Sequence, residues 1–152
     1  MTDKKLKSHR VKIDKIDKEI YALIQKRASL AVAIGKIKSE VSPKESFYKP
    51  DRETKILRNI LNANKKGLLP DSKIRAIYKE LISGCLSLEE ILKVAYLGPE
   101  ATHSEAAVHN QFGSQALRIP TSTIDDVFYQ VINDDVNLGV VPVENSSEGV
   151  IN

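Results

Sequence analysis

The chain of 152 residues is 41% hydrophobic, with one cysteine and a net charge of +3, which leaves room for one ordinary domain or for a small domain plus part of another. No uncharged apolar stretch approaches the ~20 residues that cross a bilayer, and the charged start MTDKKLKSHR has no apolar segment behind it, so neither a membrane span nor a secretory signal is expected. A lone Cys85 excludes an internal disulfide framework and fits a reducing compartment, so a cytoplasmic protein is expected.

The net charge hides a break. Residues 1–93 hold 22 of the 23 Lys and Arg against 12 acids, whereas residues 94–152 hold Arg118 alone against 8 acids. Such a shift marks a change of domain, and the spans 1–92 and 93–152 are expected to fold differently. The basic half should attract an anion, although a run of charge is also what a solvated helix face looks like.

The first half reads as helices. Arg10, Ile13, Asp17, Ile20, Ile24, Arg27, Ala31, Ile34 and Lys38 recur in an unbroken alternation of three and four, which predicts one long helix over 8–39, stopped by Pro43. A second helix is predicted from Pro50-Asp51 through Ile56, Leu57, Ile60 and Leu61 to Gly67, and a third from Asp71 as N-cap through Ile74, Ile77, Tyr78, Leu81, Ile82, Cys85 and Leu88. The second half changes period. A strand over 94–97 ends at Gly98-Pro99, Thr102-His-Ser-Glu105 has the form of a capping box for a helix closing at Gly113, and a strand over 117–119 precedes Pro120. Ser122 or Thr123 then caps a helix over 124–132, and 138–143 is a third strand. The fold class is therefore α+β overall: an all-α three-helix part, then the β-α-β-α-β pattern of a parallel sheet. The second part, about 59 residues, is marginal as an independent domain and ends on an uncovered strand, so it is expected to be incomplete.

Three cations, Arg10, Arg27 and Lys38, fall on the stripe that otherwise carries isoleucine. They either snorkel at its margins and pair with acids such as Asp17 and Glu53, or they line a dry pocket for a small polyanion. Arg10 and Lys38 stand roughly 42 Å apart along a straight helix, so no small ligand touches both on one copy. A shared pocket would then require two antiparallel copies and two symmetric sites. A basic helical nucleic-acid-binding module and a non-catalytic dimerisation domain are the rival readings. The first is disfavoured because these cations sit on the apolar stripe and few aromatics are present for stacking.

His9-Arg10-Val-Lys-Ile-Asp-Lys-Ile-Asp17, Ile24-Gln-Lys-Arg27 and Ala33-Ile-Gly35-Lys36-Ile-Lys38 resemble the first helix of the all-helical chorismate mutases. Phe47-Tyr-Lys-Pro-Asp-Arg52-Glu53 is similar to the family's entry into helix two, and Ile82-Ser-Gly-Cys85-Leu-Ser-Leu-Glu89 to its closing helix. The resemblance covers about residues 6–92. It implies an intertwined homodimer converting chorismate to prephenate by a Claisen rearrangement in phenylalanine biosynthesis, with no metal or cofactor. It also implies that Arg27 and the Arg10 of a second copy hold the two carboxylates, and that Lys38 contacts the ether oxygen and a carboxylate. Glu53 would accept the ring hydroxyl's hydrogen bond with Arg52 in support. Glu89, where some members have glutamine, would face the ether oxygen beside Cys85. These residue types suit a unimolecular rearrangement, in which a folded conformer is held and negative charge grows on one oxygen.

Tyr96-Leu-Gly-Pro-Glu-Ala-Thr-His-Ser-Glu105 and Gly139-Val-Val-Pro-Val-Glu144-Asn145-Ser146-Ser147-Glu-Gly149 resemble the opening signatures of prephenate dehydratases, a two-lobed, binding-protein-like α/β family. Ala101 and His103 stand where that family has a glycine and an aromatic residue. Glu144, Asn145 and Ser146 are the matched dehydratase-site candidates, although Asn-Ser-Ser after a strand is also ordinary turn chemistry. The parent protein is expected to carry both activities, and dehydration is not expected from this chain. His9, His103 and His109 show no triad or metal spacing, and neither nucleic acid nor membrane is expected as a partner.

Overall fold

The computed structural model describes residues 2–41, 47–145 and 149–150. Pro43, expected to stop the first helix, and Ser146 lie outside the described residues. Three helices come first: α1 (Thr2–Val41), α2 (Pro50–Ala63) and α3 (Asp71–Leu86). Helix α1 is longer than the periodicity predicts at both ends; at its start, residues 3–7 are charged or aliphatic with no breaker among them. It spans about 60 Å. Helix α2 ends earlier than Gly67, at Asn64, whose N–H returns to the Ile60 and Leu61 carbonyls. Pro70, not Asp71, is the N-cap of α3; Asp71 is its first helical residue, where a carboxylate favours the helix dipole. Leu88 falls outside α3 and is exposed, as is Ile77.

Helix α3 packs against both α1 and α2, but it covers only the last part of α1. Every residue from 3 to 26 is exposed, while Ala31 and Gly35 are buried. Gly35 is there because a Cβ would stand 3.2 Å from the Glu89 Cβ and Cγ, tighter than carbon atoms ordinarily approach. The glycine lets the stem of Glu89 lie against α1.

The rest of the chain builds a parallel sheet of β1 (Lys93–Leu97), β2 (Leu117–Thr121) and β3 (Leu138–Val140), in the order β2-β1-β3. Helix α4 (His103–Phe112) connects β1 to β2, and α5 (Ile124–Ile132) connects β2 to β3. Strand β1 shows the two-residue alternation that separates its helices. Val94 and Tyr96 pack with Val108 of α4, whereas Ala95 packs with Val127 of α5 on the opposite face. Strand β2 continues through Pro120 to Thr121, past the predicted end, and β3 is shorter than predicted. A short antiparallel pair, β4 (Glu144–Asn145) and β5 (Gly149–Val150), was not foreseen.

Local capping explains the helix starts. Thr123 and Asp126 form a full capping box on α5, each side chain accepting the other's backbone N–H at 3.1 Å. On α4 the box is only half made. Thr102 accepts from the Glu105 N–H, but the Glu105 carboxylate turns to the Ala101 N–H at 2.6 Å and to Arg118 at 3.1 Å. Ala101 has φ +62°, the left-handed region. A glycine takes that geometry without the Cβ clash, and here the Glu105 hydrogen bond helps to hold an alanine in it.

Candidate active site

The last third of α1, the entry to α2 and the end of α3 enclose a cavity of about 600 Å³. Six of the seven residues singled out for the first half line it: Arg27, Lys38, Arg52, Glu53, Cys85 and Glu89. Arg10 does not. It sits in the exposed part of α1 and contributes nothing to the cavity of its own chain.

The cations of α1 find partners other than those considered from the sequence. Arg27 donates to the Leu81 carbonyl of α3 at 3.3 Å. The Lys38 ammonium donates to Glu89 Oε2 at 3.3 Å and to the Phe47 carbonyl at 3.1 Å, and lies 5.4 Å from the Phe47 ring centroid. Lys38 is thus fixed from three directions, by a carboxylate, a carbonyl and an aromatic face. Glu53 pairs with none of the α1 cations. Its Oε1 is 4.0 Å from Nζ of Lys79, a residue of α3. Burial pushes the Glu53 carboxyl above the usual carboxylate range, with Lys79 pulling the other way. Cys85 is a buried free thiol on the same wall.

The lining is mixed in a purposeful way. Leu30, Ala31, Ile34, Ile56, Ile82 and Leu86 supply apolar walls, so the charged groups act in a medium less polar than water, where each is worth more. The set could grip one carboxylate of a small molecule through Arg27 and at the same time present a cation and a carboxyl group to a further oxygen. Among the described residues, no group of three or more His, Cys, Asp or Glu side chains could hold a metal ion.

Residues 9–90 match the family model for chorismate mutase type II. The chain belongs to that family. In the second half, residues 94–152 match the prephenate dehydratase model. Among curated proteins, the bifunctional chorismate mutase/prephenate dehydratase of Aquifex aeolicus is 47% identical over 150 residues, covering 97% of this chain and 41% of that protein. The protein of the same description from Stutzerimonas stutzeri is 44% identical with the same coverage, and that of Escherichia coli K12 is 26% identical over 159 residues. The chain therefore spans about two fifths of the length of the curated relatives it matches.

Two features at the cavity have no counterpart in the sequence analysis. One is the Phe47 main-chain carbonyl on Lys38, which no sequence signal could reveal. The other is Lys79 behind Glu53. Lys79, Ile82, Leu86 and Glu89 follow each other at three- and four-residue steps, so a cation on an apolar stripe, the signal that singled out Arg27 and Lys38 on α1, was also there on α3. In the dehydratase-like part, Glu144 and Asn145 form β4. Among the described residues, no helix is long and apolar enough to cross a membrane.

Proposed function

We propose that residues 1–92 form a mutase unit rearranging chorismate to prephenate, and that residues 93–152 are the opening part of a prephenate dehydratase unit that does not complete a dehydratase site. The observation that carries the first reading is the 3.3 Å approach of Lys38 to Glu89 inside a cavity also lined by Arg27, Arg52 and Glu53. A single oxygen hydrogen-bonded to both Lys38 and Glu89 would have its developing negative charge stabilised by a cation and a carboxyl proton. Arg27 suits one carboxylate through paired N–H donors. Glu53 accepts the hydroxyl hydrogen bond with Arg52 beside it, and Cys85 packs next to Glu89. The reaction needs no nucleophile, because one C–O bond breaks as one C–C bond forms within a single molecule. The protein's task is conformational restraint and charge stabilisation.

The working unit is a homodimer in which Arg10 of a second copy completes each site by holding the other carboxylate. The exposed isoleucines and leucines of α1 support this, since monomeric proteins rarely leave so long an apolar stripe bare. A nucleic-acid-binding or purely structural role has no comparable support, and the single buried cysteine fits a cytoplasmic location. The test is chorismate loss followed by absorbance on the chain as it stands. Arg10→Ala and Arg27→Ala should each nearly abolish it, and refolding the two variants together should restore part of it, because one site of the heterodimer keeps both arginines. No turnover by wild type rejects the mutase reading. No recovery in mixtures with demonstrated subunit exchange rejects the shared site. Enzyme-dependent phenylpyruvate from prephenate would reject the view of the second unit.

A further inference from the structure

The mutase cavity and the α/β part meet at one joint. Lys79 of α3, whose side chain is 16% exposed, donates to the Asn110 carbonyl at 2.7 Å and to the Gln111 carbonyl at 2.8 Å, with a longer contact to Gln111 Oε1. These are among the last carbonyls of α4, where intrahelical partners run out and the helix dipole favours a cation. The same ammonium is 4.0 Å from Glu53, whose side chain is 12% exposed. Glu53 lines the mutase cavity and also an adjoining cavity of about 370 Å³ that it shares with Lys79, Arg75 and Gln111.

The joint is built to hold α4 in place. The next residue of α3, Glu80, accepts the Ser114 backbone N–H and hydroxyl just past the end of α4. Gly113, at φ +80°, would put a Cβ 2.6 Å from the Ser83 Cβ, so only glycine allows the loop to lie so close to α3. Tyr48, from the segment leading into α2, meets Phe112 edge to face with ring centroids 5.4 Å apart.

We propose that Lys79 is a positioning residue for Glu53, and that the C-terminal end of α4, in the second unit, sets where its ammonium stands. The mutase site would then be tuned by contacts from the neighbouring unit. The proposal rests on the reading that Glu53 accepts a substrate hydrogen bond. A carboxylate accepts that bond more strongly than a neutral carboxyl, and burial favours the neutral form. Lys79 counters burial with a nearby positive charge. Burial in turn destabilises the ammonium, and Arg75 repels it. Two short carbonyl contacts on α4 hold it nonetheless. Other titratable and charged groups line the two cavities that Glu53 borders. Tyr48 and Lys49 precede α2, and Arg52 and Arg58 share α2 with it. Arg27 and Lys38 of α1 and Glu89 after α3 line the same cavity. Lys79 is the cation whose removal should move it most.

The experiment is a pH titration of the full chain with carboxyl-13C glutamate, the Glu53 resonance assigned from Glu53→Gln. Lys79→Met should raise the Glu53 midpoint by about one pH unit or more. Lys79→Arg should restore most of the shift, and Glu80→Ala, which loosens α4 and keeps the Lys79 charge, should leave the midpoint higher than Glu80→Gln, which removes the same carboxylate charge but keeps an acceptor for Ser114. Lys79→Gln is carried alongside in case the Met variant does not fold. In chorismate turnover the acid limb of kcat/KM should follow the midpoint upward, and Lys79→Met should add nothing on the Glu53→Gln background. An unmoved Glu53 midpoint in both neutral variants overturns the role of Lys79, and equal midpoints in Glu80→Ala and Glu80→Gln overturn the role of α4. The titration uses no substrate, so a wild-type chain inactive on chorismate would reject the proposed function while leaving this result readable.

Discussion

Along α1, residues 3–26 are exposed and Ile13, Ile16 and Ile20 are about half accessible, whereas Val94, Ala95 and Val108 of the α/β part are sealed from solvent completely. Both parts have regular apolar periodicity. The difference is where the partner surface comes from. Strand β1 has helices of its own chain on both faces, so its two-residue alternation closes into two small cores. The three-residue and four-residue alternation of α1 finds α3 along its last third, and most of its apolar stripe has no cover among the described residues. Periodicity tells a residue to be buried without telling which molecule buries it.

The sharpest way to break that comparison is to place a charge on the bare stripe. In the proposed dimer Ile20 is covered by the second copy, so Ile20→Glu would bury an unpaired carboxylate, which costs several kcal/mol. The variant should sediment as a monomer at concentrations where wild type is a dimer, with chorismate turnover down about 100-fold or more. The same change at a merely solvated helix face would alter neither sedimentation nor rate, and that result would remove the dimer from the account.

Much of the fold was legible, for reasons that differ between the two halves. The 3,4 alternation of α1 and the signature of β1-α4-β2-α5 were strong because long periodic runs and side-chain caps such as Thr123 are local. The ends of α2, β2 and β3 were not, because they are decided by tertiary contacts; Pro120 sits within β2 even though proline donates nothing to a ladder. The candidate site was readable where its residues broke a pattern: Arg27 and Lys38 are cations among isoleucines. Arg52, Glu53, Cys85 and Glu89 were reached only through resemblance, since nothing about their spacing singles them out. Arg10 illustrates a third case. The sequence implied that it could not meet Lys38 within one copy, and in the structure it lies away from the cavity.

Against the covered third of α1, Glu89, just past α3, separates a catalytic from a packing role. An ether oxygen has lone pairs only, so Glu89 must donate a proton to bond it, while glutamine donates an N–H at every pH. Glu89→Leu should therefore lose about 10²–10³-fold in kcat, as for loss of an oxyanion donor. Glu89→Gln should keep or improve activity near neutrality, because it keeps a donor at the same place. If Glu89→Gln lost as much activity as Glu89→Leu, Glu89 would be assigned to holding Lys38 as a carboxylate instead.

The smallest expected effect tests the self-contained part. Thr123 caps α5, a helix that packs on β1, β2 and β3 and shares no joint with α3. Thr123→Ala deletes one half of the capping box: the Asp126 N–H loses its acceptor, while the Asp126 carboxylate can still receive the N–H of residue 123. The expected cost is about 1 kcal/mol in urea unfolding. Because the damage stays at the first turn of α5, it should leave α4 on Lys79, and chorismate turnover should match wild type. Glu80→Ala acts at the joint and should do the reverse, with a smaller change in unfolding and a measurable change in the mutase pH profile. If Thr123→Ala shifted that profile as much as Glu80→Ala does, coupling between the halves would run through the whole sheet and not through the end of α4.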